Sequence, residues 1–151
     1  MDTKDWMPIA ISALSLLVSA YTLFMQHRQT KERLKIKLSM GFTASSGYVS
    51  ESMLFAEAAN VGDKAITVSS YGFQMPDKKV LLFPYRQQHV TLPHDLLPGK
   101  SCTMIIPAQE VARVLVEHGH SEVKLVLQFS AQSGKKFSAK AFKFNALAWS
   151  K

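Results

Sequence analysis

The sequence is poor in the residues that build disulfides, metal centres and known catalytic signatures. One cysteine, Cys102, occurs in 151 residues, so no intrachain disulfide can form. That usage suits a reducing compartment and excludes an antibody-type cysteine pair. Cys102 has apolar neighbours in an alternating stretch and reads as a packed thiol. No Gly-x-Ser-x-Gly elbow, Walker loop or dinucleotide fingerprint occurs. Two of the five histidines, His118 and His120, straddle Gly119 and are placed to reach one ion, but no second pair has comparable spacing. His118 is expected to serve the end of a helix instead. Asp63, Asp77 and Asp95 read as turn residues. The expectation is a chain with no metal, no cofactor and no catalytic residues.

Acidic residues are also few: 11 against 18 Lys and Arg, a net charge of +7. Residues 1–25 carry Lys4 against Asp2 and Asp5, a net of −1. Residues 26–37 carry Arg28, Lys31, Arg33, Lys35 and Lys37 against Glu32, a net of +4. The remaining +4 is spread over residues 38–151, as twelve basic against eight acidic side chains. The densest positive charge therefore follows directly on an apolar block. A basic run suits nucleic acid or anionic lipid. Its place beside a membrane span favours lipid head groups over nucleic acid.

That block, Trp6 to Met25, holds no charged side chain. Twenty helical residues at about 1.5 Å each reach ~30 Å, the thickness of a bilayer's hydrocarbon core. Trp6 and Tyr21 stand near its edges, where amphipathic rings are favoured, and Pro8 is expected in the first turn. A secretory signal is the rival reading, with Val18-Ser19-Ala20 as its cleavage site. The net negative start and the apolar run continuing through Leu23, Phe24 and Met25 speak for an anchor. Lys and Arg number one before the span and five in the twelve residues after it, which places the C-terminal side in the cytoplasm. The expected order is a short extracytoplasmic tail (1–5), a transmembrane helix (6–25), a basic juxtamembrane segment (26–35), a folded domain (36–146) and a tail (147–151). The location is then the inner (cytoplasmic) membrane.

Ser12, Ser15, Ser19 and Thr22 fall at 3-4-3 spacing in the span, and Gln26 and Gln29 continue the series. All six share one helix face. Three readings stay open: each hydroxyl bonds its own i−4 carbonyl, the face packs against another copy in a homo-oligomer, or it lines a polar path in a larger ring.

Beyond Lys35 the period changes to two. Ile36, Leu38, Met40 and Phe42 alternate with polar or small residues, as in a strand with one wet face. Further strands are expected at Met53–Ala59, Ala65–Phe73, Val80–Phe83 (buried), Ser101–Ile106, Val123–Phe129 and Phe137–Phe144. Pro107 opens a helix in which Val111, Val114, Leu115 and His118 share a face, and Gly119 ends it. Ile36, Leu38, Val68, Leu125, Leu127 and Phe129 are expected to face one core. About 115 residues suffice for one core and not for two. The fold class is mainly β, an immunoglobulin-like sandwich with one short crossover helix behind an N-terminal transmembrane helix. Phe83-Pro84-Tyr85-Arg86 reads equally as a buried strand end or as a partner surface, with Tyr85 and Arg86 making the contact.

Two turns carry a resemblance. Asn60-Val61-Gly62-Asp63, and later Leu97-Pro98-Gly99-Lys100-Ser101, resemble the Asn-x-Gly and Leu-Pro-Pro-Gly-x-Ser turns of bacterial immunoglobulin-like and fibronectin-like domains. The second departs from the pattern in having Leu97 in place of a proline. The resemblance spans about residues 36–146 and implies a fold and a habit of binding proteins, without a catalytic residue. A membrane helix joined to such a domain also resembles, in architecture only, bacterial anti-phage membrane effectors. The reading is an anchored, non-enzymatic module that binds the bilayer, itself and a protein partner. A membrane-disrupting effector and a membrane-tethered enzyme are its rivals.

Overall fold

In a computed structural model of the chain, residues 3–29, 31–49, 51–82 and 90–149 are described. Helix α1 spans Thr3–Gln29. It starts before Trp6, so Pro8 lies inside the helix and not in its first turn. Strand β1 follows at Leu34–Gly41, with Leu34, Ile36 and Leu38 half-buried and the lysines between them exposed. A small hairpin, β2 (Ala44–Ser45) and β3 (Tyr48–Val49), turns at Ser46 and Gly47, both at positive φ. Then come β4 (Met53–Asn60), β5 (Ile66–Gln74), β6 (Val80–Leu82), β7 (His94–Leu96) and β8 (Ser101–Pro107). Helix α2 (Ala108–Glu117) leads to β9 (Glu122–Ala131), β10 (Lys136–Ser138), β11 (Phe142–Asn145) and a single helical turn, α3 (Ala146–Trp149).

One sheet has the order β1-β4-β8, antiparallel throughout, with Leu34 opposite Asn60 and Ala59 opposite Ser101. The other is built on β9 and β5. Strands β10 and β11 pair with successive halves of β9, and β7 and β6 with successive halves of β5. This is the A-B-E and C-F-G arrangement of an immunoglobulin-like sandwich, with α2 crossing from one sheet to the other. The inner faces meet in one core. Leu54, Met104 and Ile106 come from the first sheet; Val68, Phe73, Leu125, Leu127 and Phe129 come from the second. Ile36 and Leu38 pack on this core only half-buried, because β1 is an edge strand. Tyr71 stacks on Phe129 at 5.7 Å, and Phe142 bridges Phe73 and Phe144 edge-on at 5.8 and 6.3 Å.

Several expectations need correction. The strand at Val80 is an edge: Val80 and Leu82 are 40% and 60% exposed, so it is not buried. The strand expected over 137–144 is broken at residues 139–141, although Ala139 still donates to the Leu127 carbonyl at 2.9 Å. Asp95 sits in β7, where it accepts from the Thr67 hydroxyl at 2.6 Å, and not in a turn. The buried face of α2 is Ala108, Val111, Ala112 and Leu115, while Val114 is half-buried and His118 exposed. Its end is a Schellman motif around Gly119 (φ +80°), with His120 N–H donating to the Leu115 carbonyl and Gly119 N–H to that of Val116. Of the expected tail, residues 147–149 are described and are packed: Asn145 accepts from the Ala148 N–H at 3.3 Å and Trp149 packs on the core.

Candidate functional site

Helix α1 is apolar and uncovered. Its stretch from Trp6 to Arg28 is long and apolar enough to cross a membrane, at about 34 Å for 23 residues. None of it is buried in the fold, so it is not a core helix of the sandwich. Eleven large apolar side chains from Trp6 to Phe24 stand exposed. Leaving them in water costs roughly 1.5–3 kcal/mol each, on the order of 20–30 kcal/mol together. At the far end the Arg28 guanidinium lies over the Phe24 ring at 5.9 Å, a contact suited to a helix leaving hydrocarbon for head groups.

The hydroxyl face has definite hydrogen bonding. Ser12, Ser15, Ser19 and Thr22 donate to the carbonyls of Pro8, Ile11, Ser15 and Val18, at 2.8, 2.9, 2.8 and 2.8 Å. Each proton is thus committed within its own helix, and what faces outward is a narrow row of small residues with free oxygen lone pairs. Gln26 lies further along and is exposed; the Gln29 side chain lies outside the described residues.

The basic run is divided by the fold. Arg28 is in the last turn of α1, Lys31 and Arg33 are in the connector, and Lys35 and Lys37 ride on the outer face of β1. Lys37 is directly opposite Glu57 and, at about 3.3 Å per residue, some 13 Å along the strand from Arg33. The partner surface suggested for Tyr85 and Arg86 lies outside the described residues.

The connector is docked, and the two turns that carry the family resemblance hold it. Asn60 is 1% exposed at the end of β4. Its Nδ2 donates to the Lys64 and Leu96 carbonyls at 2.6 and 2.8 Å, and its Oδ1 accepts from the Gly62 N–H at 3.0 Å. Its backbone completes the join: Asn60 N–H donates to the Lys100 carbonyl and Gly99 N–H to the Asn60 carbonyl, both at 2.9 Å. One residue therefore joins the two turns, its side chain bonding the 60–64 turn and Leu96 at the end of β7 and its backbone bonding the 97–100 turn. Against this unit lies the chain leaving α1. Val61 N–H donates to the Arg33 carbonyl at 3.0 Å. A Cβ on Gly62 would stand 3.1 Å from the Lys31 carbonyl oxygen and 3.2 Å from the Arg33 nitrogen, which explains a glycine here. Glu32, the one acid of the basic run, accepts from the Ser133 hydroxyl at 2.9 Å and pairs with Lys135 at 3.5 Å. Three turns and the connector meet at one end of the sandwich. All three turns, Ser133-Gly134-Lys135-Lys136 included, are legible in the sequence; that they touch is not.

Elsewhere the chemistry is quiet. Among the described residues no group of three or more His, Cys, Asp or Glu is placed to hold a metal. Burial raises the Cys102 thiol above its ordinary pKa, which keeps it a neutral packing group. The His118 ring donates from Nδ1 to the Val114 carbonyl at 2.8 Å, capping α2.

No family model and no curated protein matches the sequence. Among solved structures, a structural-genomics target designated SoR45 is 12% identical, with 78% of this chain and 88% of that one covered at a TM-score of 0.31. A Bordetella pertussis protein assigned the name ApaA is 9% identical, with 75% and 91% covered at 0.30. At these scores the likenesses say nothing about activity.

Proposed function

We propose that the chain is a single-pass protein of the inner (cytoplasmic) membrane. Its cytoplasmic sandwich is a non-enzymatic module that binds a protein partner, and its membrane helix self-associates. The observation that carries this reading is an uncovered apolar helix separated by only four residues from the first strand of a β-sandwich. The orientation is supported by the five basic residues of 26–37 against the one of 1–25. Partner binding is what the resemblance of the two turns implies. Self-association is supported by the row Ser12, Ser15, Ser19, Thr22. With its protons donated inward, that row favours close helix approach more than hydroxyl-to-hydroxyl bonding. In a membrane two-hybrid assay Ser15→Leu with Ser19→Leu should weaken association, and Leu14→Ile with Val18→Ile should preserve it. Equal signals from the two double mutants would refute the packed seam.

A second reading is favoured by the same row: free lone pairs facing outward along the span suit a water-bearing path, as in a membrane-disrupting effector. Overexpression with a potential-sensitive dye separates the two. A module leaves the membrane potential intact, whereas an effector collapses it.

A further inference from the structure

We propose that the end of the sandwich around Asn60 is a lipid-binding surface, with Val61 and Leu97 entering the head-group layer and the surrounding lysines binding anionic head groups. The inference rests on the anchored reading above and adds to it a second contact with the bilayer, made by the folded domain.

Three observations converge there. The first is distance. The last described residue of α1 is Gln29, and Lys31 already lies against Gly62. Two residues reach at most about 7 Å. If hydrocarbon ends near Met25, residues 26–29 add about 6 Å of helix, which matches the 5–7 Å or so of head-group layer on each side of a bilayer. The 60–64 and 97–100 turns are thus held at the outer edge of that layer.

The second is charge. The connector and the turns 61–65, 97–100 and 132–136 bring together Lys31, Arg33, Lys64, Lys100, Lys135 and Lys136 against Glu32 and Asp63, a net of +4. At the opposite end, the loops 42–52, 75–79 and 118–121 carry Lys78 and Lys79 against Glu51 and Asp77, a net of zero. Strand direction fixes which turns go where: β1 rises from the connector, and its partner β4 returns to it at Asn60. Lys64, Lys100 and Lys136 are exposed, while Glu32 is already engaged by Ser133 and Lys135.

The third is apolar exposure at the tips. Val61 is 56% and Leu97 55% exposed, in the two turns that Asn60 locks together. Aliphatic tips ringed by lysine suit a membrane interface and not a nucleic-acid groove, because apolar side chains have nothing to gain from a phosphodiester backbone. Each basic side chain near an anionic leaflet contributes roughly a fivefold preference.

The test uses the full chain in nanodiscs, in a Cys102→Ala background, with a fluorophore on Val61→Cys, Leu97→Cys, Tyr48→Cys or Leu16→Cys. Lipids carrying a spin label at the head group or deep in the acyl chain act as quenchers. With about one-third phosphatidylglycerol, head-group label should quench positions 61 and 97 at least three times more than position 48 at the far end. Pure phosphatidylcholine, or Lys64→Glu, Lys100→Glu and Lys136→Glu together, should shrink the difference to what the short connector alone imposes. Positions 61 and 97 quenched no more than 48, or equally in both lipids, or unaffected by the charge reversals, would overturn the inference while deep quenching at 16 keeps the anchor. No deep quenching at position 16 would overturn the anchor itself, and the lipid-binding end with it.

Discussion

Asn60 is the side chain whose removal has the most calculable consequence. Asn60→Ala deletes three hydrogen bonds, to the Lys64 and Leu96 carbonyls and from the Gly62 N–H. A net value of about 0.5–1.5 kcal/mol per bond gives roughly 1.5–4.5 kcal/mol. The turn groups at Lys64 and Gly62 are part-buried and reach water after the change, which lowers the loss. The bond to the Leu96 carbonyl is buried, and an acceptor left bare there costs about 1–3 kcal/mol. The two corrections oppose each other, so a loss of about 2–4 kcal/mol is expected, a large share of the 5–15 kcal/mol typical of a domain. For a domain of this size that lowers Tm by about 8–16 °C. Asn60→Asp should be at least as harmful at pH 7, because a carboxylate cannot donate and would face two carbonyl oxygens. The assay is urea and thermal unfolding of the full chain in detergent micelles, with Trp149 fluorescence in a Trp6→Phe background reporting the core. An Asn60→Ala variant within about 0.5 kcal/mol of the parent would show that the two turns hold without this side chain.

Leu127→Asp places a charge on a fully buried position of β9 without a partner and should unfold the sandwich, seen as loss of the cooperative Trp149 transition. A parent-like melt would refute the register of β9 against β5. The Cys102 thiol is held above its ordinary value near 9 chiefly by burial, so the unfolded chain loses that proton at lower pH than the folded one. Its contribution to stability is complete below about pH 9 and fades as pH rises towards the folded pKa. The urea midpoint should therefore fall between pH 8 and pH 10 more steeply in the parent than in Cys102→Ala, and equal slopes would contradict the burial of the thiol.

The parts of the fold that were legible in the sequence are those with a local period. Val123, Leu125, Leu127 and Phe129 announce β9 because every second residue meets the core, and Gly119 announces the end of α2 because only glycine takes φ +80° there without strain. The helix α1 is legible from twenty residues without a charge. What was hidden is what closes through space. Asn60 bonds a residue 36 positions on, and Glu32 one 101 positions on, and neither contact leaves a periodic trace. Strand β7 was missed because His94-Asp95-Leu96 buries only Leu96 and has no alternation to read. The basic run looked continuous in sequence, yet the change from helix to strand carries Lys35 and Lys37 up the sandwich. The junction gains Lys64, Lys100 and Lys136 from turns far along the chain. The hydroxyl spacing fitted three readings because 3-4-3 is both a seam and the reach of an i−4 bond.

The central claim, an anchor at α1 with the sandwich on the cytoplasmic side, is tested most directly by paired fusions after Lys151. A reporter that matures only in the cytoplasm should be active and sediment with membranes after alkaline carbonate washing. A reporter active only outside the cytoplasm should be silent at the same position. The reverse pattern, or release of the fusion by carbonate, would contradict the account.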